Sequence, residues 1–594
     1  MNERRRYDVV IVGGGFAGSL LAKELVSHGR SVLVLESGRN TGFTFPGYQS
    51  LVDTYLLDLN KGPNSPYPEN ANAGDTDTPG YVEQTGPVPF TTDYVRALGG
   101  TSLHWLGTCL RMLPADFRMQ TLYGLGEDWP LAYEDLEPFY RRAEGEIGVS
   151  ANVEEQGYHG VWFEDGYEFP MYRIPPSYID QRLSEGLRRF RVDVAGRSYP
   201  VGVTSTPQAR NSIPNPRYNG GKGYEPVGAA GAPDTGQRCE GHSSCIPICP
   251  VQAKYNALKT LASIFRLLDT RGMPKDHFRI ITQAVASRLD IDGDSGRIRA
   301  VEYKVYRNEA SGEHETGTAY GRVYVVAANA VETAKLMLIS ERERASPHLG
   351  HYLMDHPYMM VLGRAREPMG VGRGPSSTSG IESLRDGPFR RELAAFRIEV
   401  GNWGWRFAAD SPYADVAELV EREHLFGARL RSRLHHDLTR QVHLGPLVEQ
   451  LPEYRNRVTL EPGARDPLGI PRPRIWYDVS DYTRAGMAAA QRVCQKMYRQ
   501  LRVQYVEKAQ PFAVQVRYRT QPLAFYGAGH MVGTHRMGTQ RATSVVNTWQ
   551  RSWDHDNLYL VGCGSMCTIG TSNPTLTMAA LAFRSARKIL QDLR

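Results

Sequence analysis

The chain has 594 residues, and 70 Lys and Arg against 64 Asp and Glu give it a formal charge of +6 at neutral pH. A chain of this length has room for about four domain equivalents of ~150 residues and can bury most of its unfolded surface. Its composition, 41% hydrophobic and 23% charged with 59 Gly and 37 Pro, excludes a disordered or collagen-like chain. It predicts a globular protein with many loops.

Membrane insertion, disulfide bonding and nucleic-acid binding are all disfavoured by the sequence. No apolar run approaches the ~20 residues needed to cross a bilayer, and the basic start Met1–Arg6 is followed by Asp8 and glycines instead of the apolar part of a signal peptide. Seven cysteines are too few, and odd in number, for a disulfide framework. The basic runs Arg385–Arg391 and Arg429–Arg440 are interrupted, as is typical of solvated surface. We expect a cytoplasmic location by default and no nucleic-acid partner.

The chain begins with a pattern that predicts a β-α-β unit. Tyr7–Val12 and Ser31–Glu36 are β-branched apolar runs, and Phe16–His28 between them has helical periodicity. The turn after the first strand reads Gly13-Gly14-Gly15-Phe16-Ala17-Gly18, which fits G-x-G-x-x-G, and Glu36 ends the second strand. The glycines of such a unit allow a tight turn, approach of a pyrophosphate and close helix packing, and the acid accepts a ribose hydrogen bond. The motif predicts a dinucleotide site without separating FAD from NAD.

Several further elements follow in chain order. Polar stretches rich in Gly, Pro and Asn predict surface loops or linkers at Lys61–Gly80, Ile213–Gly236 and Gly370–Gly380. Hydrophobic periodicity predicts strands at Arg299–Tyr306, Ala394–Val400 and Pro473–Val479, helices at Tyr482–Gln500 and Thr575–Leu590, and a strand, turn and helix over Val325–Leu338. Before the last helix, Ser572-Asn573-Pro574 predicts that Asn573 is an N-cap with proline at the first helical position.

Three of the seven cysteines, Cys239, Cys245 and Cys249, lie close together with the spacing C-x5-C-x3-C, and His242 stands between the first two. Three thiolates can hold an iron–sulfur cluster. Together with His242 they form the Cys3His set of a zinc site, and reduced cysteines without a metal are the third interpretation. The residues alone leave these alternatives open.

Four segments spread over the whole chain resemble the glucose-methanol-choline (GMC) family of FAD-dependent oxidoreductases. They are Arg96–Trp105 (RALGGTSLHW), Leu353–Pro357 (LMDHP), Gly529–Gly538 (GHMVGTHRMG) and Leu560–Thr577, with its VGCGS and GTSNPTLT stretches. The pattern is most similar to the branch of pyranose oxidases and the flavoprotein subunits of gluconate, fructose, glucose and glucoside dehydrogenases. The resemblance implies FAD as the cofactor, and a three-iron [3Fe-4S] cluster on the three cysteines as an exit for electrons.

The resemblance also implies an α/β fold (α+β overall). A Rossmann-like FAD-binding domain is built from discontinuous segments, which we place at residues 1–45, 90–150, 235–345 and 525–594. A substrate-binding domain with an antiparallel sheet, together with insertions, takes residues 46–89, 151–234 and 346–524.

The resemblance assigns cofactor contacts to matching positions. The loop that contains His104 lies along the flavin in the family, and His104 stands where pyranose oxidases carry a histidine bonded covalently to the flavin, whereas dehydrogenase relatives have histidine there without the bond. Asp355-His356 resembles a segment near the cofactor. The predicted cofactor-binding residues are Gly13, Gly15, Phe16, Ala17, Gly18, Glu36, Gly99, Gly100, Thr101, Ser102, His104, Trp105, Val285, Ala328, Gly564, Ser565, Asn573 and Thr575.

Oxidation of an alcohol requires a base for the hydroxyl proton, and histidine has a suitable pKa near neutrality. By position in the family's pattern, His530 is predicted to be the catalytic base and Asn573 the partner that hydrogen-bonds the reacting hydroxyl. We interpret the nearby His535 as structural. The N-terminus of the last helix would stabilise negative charge that develops near Asn573.

The predicted function is oxidation of a secondary hydroxyl of a sugar, glycoside or sugar acid to a ketone, with hydride transfer to flavin. The alternatives are a sugar oxidase that passes electrons to O2 and a non-redox GMC lyase. A small subunit and a cytochrome acceptor are the expected partners of a dehydrogenase, and export with a partner subunit is the alternative to a cytoplasmic location. Trp403, Trp405 and His443 are candidate pocket residues, each more readily explained as structural.

Overall fold

A computed structural model describes residues 5–40, 70–72, 81–103, 105–228, 236–241, 249, 251–307, 311–341, 345–372, 374–405, 413–508 and 513–594. Within these residues the strands are β1 (Arg6–Val12), β2 (Val32–Leu35), β3 (Asn70–Asn72), β4 (Glu83–Gln84), β5 (Asp93–Val95), β6 (Arg191–Val194), β7 (Arg197–Pro200), β8 (Thr204–Ser205), β9 (Phe278–Ile281), β10 (Ala284–Ile291), β11 (Ile298–Tyr306), β12 (His314–Val326), β13 (Pro357–Tyr358), β14 (Val361–Arg364), β15 (Ser379–Ile381), β16 (Phe396–Gly401), β17 (Gln441–Val448), β18 (Arg457–Arg465), β19 (Pro471–Trp476), β20 (Gln504–Val506), β21 (Val514–Tyr518), β22 (Gln521–Gly527) and β23 (Leu558–Leu560).

The α-helices in the same residues are α1 (Phe16–Ser27), α2 (Met119–Tyr123), α3 (Tyr133–Ile147), α4 (Tyr178–Gly186), α5 (Tyr218–Gly221), α6 (Ala257–Thr270), α7 (Ala330–Glu341), α8 (Tyr413–Ala417), α9 (Gly427–Leu438), α10 (Asp481–Gln500) and α11 (Thr575–Asp592). The predicted β-α-β unit is therefore confirmed as β1, α1 and β2. The strands predicted in the middle of the chain are confirmed as β11, β16 and β19, and the two long helices as α10 and α11.

One sheet has the order β10-β11-β12-β1-β2-β9, with β23 paired to β12. Its centre is parallel, since β1 pairs in parallel with β2 and β12, and β12 with β23. Val9, Val10 and Ile11 of β1 are fully buried, as is typical of a parallel strand that is covered on both faces. Helix α1 lies between α6 and α11, and α3 packs on α11 in turn. The sheet therefore places the G-x-G-x-x-G turn at its carboxyl edge, where α/β folds bind ligands.

A second, mostly antiparallel sheet has the order β21-β22-β13-β17-β16-β15-β8, with β14 joining β17 to β20. Helix α10 packs on β17 and shares a large apolar cluster with it. This cluster includes Phe396, Ile398 and Val400 of β16, while Arg397 and Glu399 alternate with them and point to the other face. Both faces are buried, so the charged residues of β16 line an interior.

One local expectation needs correction, and two others fall partly outside the described residues. Gly370–Gly380 is not wholly a surface loop, because residues 376–380 are buried and β15 begins at Ser379; the hydroxyls of Thr378 and Ser379 bond the carboxylate of Asp180, which satisfies these polar groups inside the protein. Within Lys61–Gly80 the structure describes residues 70–72 alone, and they form β3. In the described part of Ile213–Gly236, the short helix α5 interrupts an otherwise irregular segment.

The expected capping role of Asn573 is also wrong. Helix α11 begins at Thr575 with Pro574 in the N-cap position, and no side chain bonds the first turn there. The side chain of Asn573 instead contacts His530 and Arg397, because a histidine from another segment offers a partner that the local sequence does not reveal.

Candidate active site

The G-x-G-x-x-G turn forms an open cradle at the start of α1. Gly13 has φ +105°, and a Cβ there would lie 2.7 Å from the Ala327 carbonyl oxygen. A Cβ on Gly18 would overlap the carbonyl oxygen of Gly13, so glycine is required for α1 to approach β1. A Cβ on Gly15 would meet no protein atom within 4 Å, and no side chain caps the first turn of α1. The cradle leaves both space and N–H donors for a pyrophosphate.

Glu36 lies at the carboxyl end of β2, beside the same turn. Its two carboxylate oxygens accept hydrogen bonds of 2.7 Å from the N–H groups of Gly14 and Gly38. Burial raises the pKa of this carboxyl, and the N–H donors oppose that shift. Val285 follows Ala284, whose N–H donates to the Glu36 carbonyl at 2.8 Å. The structure thus brings Val285, a predicted cofactor contact, close to the acid predicted to bind the ribose.

The glycine-rich segment before His104 folds over the cradle. A Cβ on Gly100 would lie 3.4 Å from the Gly15 Cα. The hydroxyl of Ser102 donates to the Gly99 carbonyl at 2.6 Å and accepts from the Ala257 N–H at 2.9 Å. The Trp105 ring meets the Phe16 ring edge to face, with centroids 5.2 Å apart. His104 itself lies outside the described residues.

The opposite side of the cradle is formed by the turn after β12 and the segment after β23. Ala328 lies next to Gly13, and a Cβ on Gly562 would stand 3.6 Å from the Ala328 carbonyl oxygen. The hydroxyl of Ser565 accepts from Gln550 Nε2 at 2.6 Å. A Cβ on Gly564 would overlap the ring of His535. His535 is fully buried, and its backbone N–H donates to the Gly564 carbonyl. This packing agrees with a structural interpretation of His535.

Two histidines and an asparagine from three separate segments meet at the boundary between the two sheets. Nε2 of His530 lies 3.2 Å from Nδ2 of Asn573, and Nδ1 of His530 lies 2.8 Å from Nδ1 of His356. His530 and Asn573 are partly exposed, whereas His356 is completely buried. The Nε2 edge of His530 is therefore the side that a small molecule can reach.

Backbone and charged groups hold this cluster in place. Oδ1 of Asp355 accepts the N–H of His530 at 2.9 Å and the N–H of His356 at 2.7 Å. Burial raises the pKa of Asp355 to about 6. Arg397 donates to Oδ1 of Asn573 at 3.5 Å and forms an ion pair with Glu382 at 3.1 Å. One carboxyl thus fixes both histidine segments, and one guanidinium fixes the asparagine.

The electrostatics keep the histidines neutral. Burial, followed by the charges of His356 and Arg397, lowers the pKa of His530 well below 6.5. Burial and the nearby arginines also lower the pKa of His356 to about 4. Both imidazoles are therefore unprotonated bases at neutral pH.

The interior face of the antiparallel sheet continues the site beyond Arg397. Glu399 lies two residues further along β16, and its pKa is raised by burial; His443 of β17 pairs with Gly401, and its Nε2 lies 3.2 Å from the Tyr358 hydroxyl. Sequence reasoning missed Arg397 and Glu399. Their alternation with apolar residues in β16 was a visible signal, but it is also the pattern of a strand with one face in water.

The proposed aromatic pocket residues and the cysteine segment have different outcomes. The Trp403 ring lies tilted against that of His443 with centroids 5.6 Å apart, whereas Nε1 of Trp405 donates to the Gly363 carbonyl at 2.9 Å. Both tryptophans are buried.

Cys239 and Cys249 are half-buried, but Cys245 and His242 lie outside the described residues. In the part of the chain that the structure describes, no three His, Cys, Asp or Glu side chains converge as a metal site.

Comparison with known proteins decides the family. A profile for GMC oxidoreductases matches residues 452–582, and one for NAD(P)-binding Rossmann-like domains matches residues 11–64. The chain is 30% identical over 608 residues to the fructose dehydrogenase large subunit of Gluconobacter japonicus, which covers 100% of this chain and 99% of that protein. The chain belongs to the GMC oxidoreductase family.

Another relative and two solved structures align with this chain along nearly their whole length. Paromamine 6'-oxidase of Streptomyces fradiae is 26% identical, with 100% of this chain and 93% of that protein covered. Pyridoxine 4-oxidase from Mesorbium loti has the same fold, with a TM-score of 0.61 at 18% identity over 98% of this chain and 99% of its own. A variant of Aspergillus oryzae RIB40 formate oxidase, solved to study modification of its FAD, has a TM-score of 0.62 at 15% identity, with 100% of both chains covered.

The predicted fold class, family and enzyme class are thereby confirmed. The chain is an FAD-dependent oxidoreductase that acts on CH–OH groups, and the open space at Gly15 with the acid of Glu36 suits a dinucleotide. No helix in the described segments is long and apolar enough to cross a membrane. The two sheets draw their strands from separated parts of the chain, while the domain boundaries and the individual site roles remain predictions.

Proposed function

We propose that this enzyme oxidises a secondary hydroxyl of a sugar, glycoside or sugar acid to a ketone, with His530 as the base and Asn573 as its hydrogen-bonding partner. The observation that carries the proposal is the contact between His530 Nε2 and Asn573 Nδ2 at the accessible edge of the cluster. A hydroxyl bound there would donate its proton to Nε2 and accept a hydrogen bond from Nδ2.

The chain's own residues perform the proton chemistry of this proposal. The glycine cradle and Glu36 would hold FAD, which when bound would supply the acceptor for the hydride that leaves carbon. His530 is neutral at pH 7 because its pKa is low, so it can take the hydroxyl proton without first losing one of its own. Asn573, oriented by Arg397, stabilises the oxygen as it becomes negative. Glu399 and His443 on the sheet face are the candidates that would bind the other hydroxyls of a sugar.

Asparagine substitutions at two nearby histidines test the role of His530 as the catalytic base. The His530→Asn variant should retain FAD but lose flavin reduction by substrate by about 10³-fold or more, since general-base catalysis and positioning are both removed. The matched His535→Asn variant should reduce flavin at a near-normal rate once FAD is saturating, because His535 packs behind Gly564. Anaerobic stopped-flow measurement of flavin bleaching checks both. Near-normal reduction in the His530→Asn variant would remove His530 from the role of base.

We propose a dehydrogenase that passes electrons to a protein partner over an oxidase. Two relatives, fructose dehydrogenase large subunit and gluconate 2-dehydrogenase flavoprotein, support a chain that works in an assembly, with a small subunit and a cytochrome as its partners and export in their company. Paromamine 6'-oxidase supports the alternative. Screening sugars and glycosides with an artificial acceptor, in parallel with peroxide detection, separates the two. Turnover with the dye and little peroxide is expected; stoichiometric peroxide would favour the oxidase.

Two cofactor proposals involve His104 and Cys245, which lie outside the described part of the chain. We keep covalent attachment of FAD through His104 and unbonded FAD as alternatives, and acid precipitation decides between them, because covalent flavin stays with the pellet.

We also propose an iron–sulfur cluster on Cys239, Cys245 and Cys249. Anaerobically purified protein should contain iron and acid-labile sulfide in similar amounts. The Cys245→Ser variant should lose both while keeping flavin. Protein without iron would leave reduced cysteines or, if zinc is found, a zinc site.

A further inference from the structure

The hydrogen bonds around His530 have one consistent placement of protons, and His356 determines it. We propose that His356 is a positioning residue that holds the proton of His530 on Nδ1 and leaves the lone pair of His530 on Nε2, the atom that faces Asn573. The inference rests on the proposed function, in which His530 is the base. It assigns to His356, which comes from a different segment, the choice of the nitrogen that acts.

The first step follows from the backbone. Nε2 of His356 lies 2.9 Å from the carbonyl oxygen of Gly570. A carbonyl oxygen only accepts hydrogen bonds, so Nε2 of His356 must carry the proton. A neutral imidazole has a single N–H, so Nδ1 of His356 must be the acceptor in its 2.8 Å contact with Nδ1 of His530. The proton in that contact therefore belongs to His530.

Neutrality of His356 is required for this step, and its surroundings supply it. The ring is completely buried, and Arg397 and Arg385 add positive charge nearby, so its pKa is about 4. Arg385 also donates to the hydroxyls of Thr571 and Ser572, next to Gly570. The carbonyl that orients His356 is thus held by side chains outside the histidine pair.

The other end of the cluster gives the same assignment independently. Arg397 carries only donors, and it donates to Oδ1 of Asn573 at 3.5 Å. The amide nitrogen of Asn573 must then face His530, whose Nε2 lies 3.2 Å away. An amide N–H needs an acceptor there, so Nε2 of His530 must be unprotonated. Two chains of hydrogen bonds, one from Gly570 and one from Arg397, therefore converge on the same tautomer.

The tautomer matters because a free imidazole distributes its proton between both nitrogens. Without an acceptor at Nδ1, part of the His530 population carries its proton on Nε2, where it cannot accept the substrate proton. Loss of the group that fixes a catalytic imidazole's tautomer can lower rates by several orders of magnitude. Asp355 adds to the effect, since its Oδ1 bonds the backbone N–H of both histidines and keeps the two segments in register.

The experiment is a comparison of His356→Phe with His356→Asn in the FAD-loaded enzyme. Phenylalanine fills the cavity without an acceptor, whereas asparagine can place Oδ1 near the position of Nδ1. We expect flavin reduction to fall by about 10²-fold or more in the Phe variant and by less than about 10-fold in the Asn variant. His351→Phe, a half-exposed ring stacked on Tyr454, is the matched control and should retain the wild-type rate. Flavin content and circular dichroism check that each variant is folded.

Nitrogen NMR of ¹⁵N-histidine-labelled enzyme gives a readout that does not depend on turnover. The His530 resonances, identified by their loss in His530→Gln, should show a protonated Nδ1 and an unprotonated Nε2 in the wild type, and a mixture in His356→Phe. A wild-type His530 with its proton on Nε2 would overturn the proposal, as would a Phe variant with an unchanged tautomer and rate. If the Phe variant does not retain FAD, the wild-type spectrum and the Asn variant decide. The predicted tautomer together with full activity of His530→Asn would instead contradict the proposed function.

Discussion

Asn573 is the residue whose role depends most on distant partners. Its amide nitrogen faces His530 Nε2 at 3.2 Å and its oxygen faces Arg397 at 3.5 Å. Since both partners are far away in the chain, the local Ser-Asn-Pro pattern indicates a helix cap and nothing of this contact. The side chain is well placed to hydrogen-bond a reacting oxygen.

Two substitutions of Asn573 test this role. Asn573→Ala removes the donor, and we expect flavin reduction to fall by about 10²-fold, the usual loss of one donor to a developing oxyanion. Asn573→Asp keeps the shape but replaces the donor with a carboxylate, which would raise the pKa of His530 and move the acidic limb of the reduction rate to higher pH. The rate is measured from pH 5 to 9 with FAD bound. Equal profiles for the wild type and the Asp variant would count against contact between Asn573 and the base.

At the scale of elements, different glycines of the β1–α1 turn serve helix packing and cofactor binding. Gly18 has no room for a Cβ because the Gly13 carbonyl is in the way, whereas Gly15 has open space in front of it. The same motif therefore holds one glycine that the fold needs and one that only a ligand explains. This distinction makes the assigned FAD cradle testable without substrate.

Three glycine-to-alanine variants provide that test. Gly15→Ala should fold with unchanged stability but bind FAD at least about 10-fold more weakly, because its methyl group takes the space assigned to the pyrophosphate. Gly18→Ala should lower the thermal midpoint of the apoprotein as well, since α1 can no longer approach β1. Gly202→Ala, exposed and without atoms within 4 Å of its Cβ, is the control and should change neither. FAD titration and thermal unfolding are the measurements, and unaltered FAD affinity in Gly15→Ala would contradict the assignment.

For the whole molecule, buried histidines couple stability to pH. Burial lowers the pKa of His443 and His535 to about 3 and of His356 to about 4, and His530 is lowered as well. These groups take up protons on unfolding at any pH below about 6.5. Their contribution to stability is therefore complete above that pH and is lost as the pH falls toward their folded values. Asp355 opposes this trend. Its pKa is raised to about 6 in the folded protein, so below that pH it releases up to one proton on unfolding.

We therefore expect the FAD-saturated enzyme to lose stability between pH 7.5 and pH 5.5. Below about pH 6.5, a net uptake of about two protons on unfolding corresponds to about 3 kcal/mol per pH unit, which should lower the thermal midpoint by several degrees. Differential scanning fluorimetry at fixed ionic strength checks the direction. His443→Phe should reduce the slope by one proton, and a thermal midpoint that rises toward pH 5.5 would contradict the assigned neutrality of these rings.

The nucleotide-binding start and the family were determined by the sequence alone. A β-α-β unit, a glycine turn and a terminal acid are encoded by periodicity and by residue types within 30 residues, so Gly13, Gly15, Gly18 and Glu36 could be assigned in advance. The position of His530 in a family motif likewise singled it out among 16 histidines. These signals are local, and local patterns survive without knowledge of packing.

Only the tertiary structure decided which side chains of the site bond to each other. His356 precedes β13, His530 follows β22 and Asn573 precedes α11. The fold brings these three segments within hydrogen-bonding distance. Arg397 and Glu399 lie on a strand whose alternation predicts a water-facing side, yet both side chains are buried. The sequence records which residues can bond, but the bonds that form depend on which surfaces are buried together, and this is a property of the whole fold.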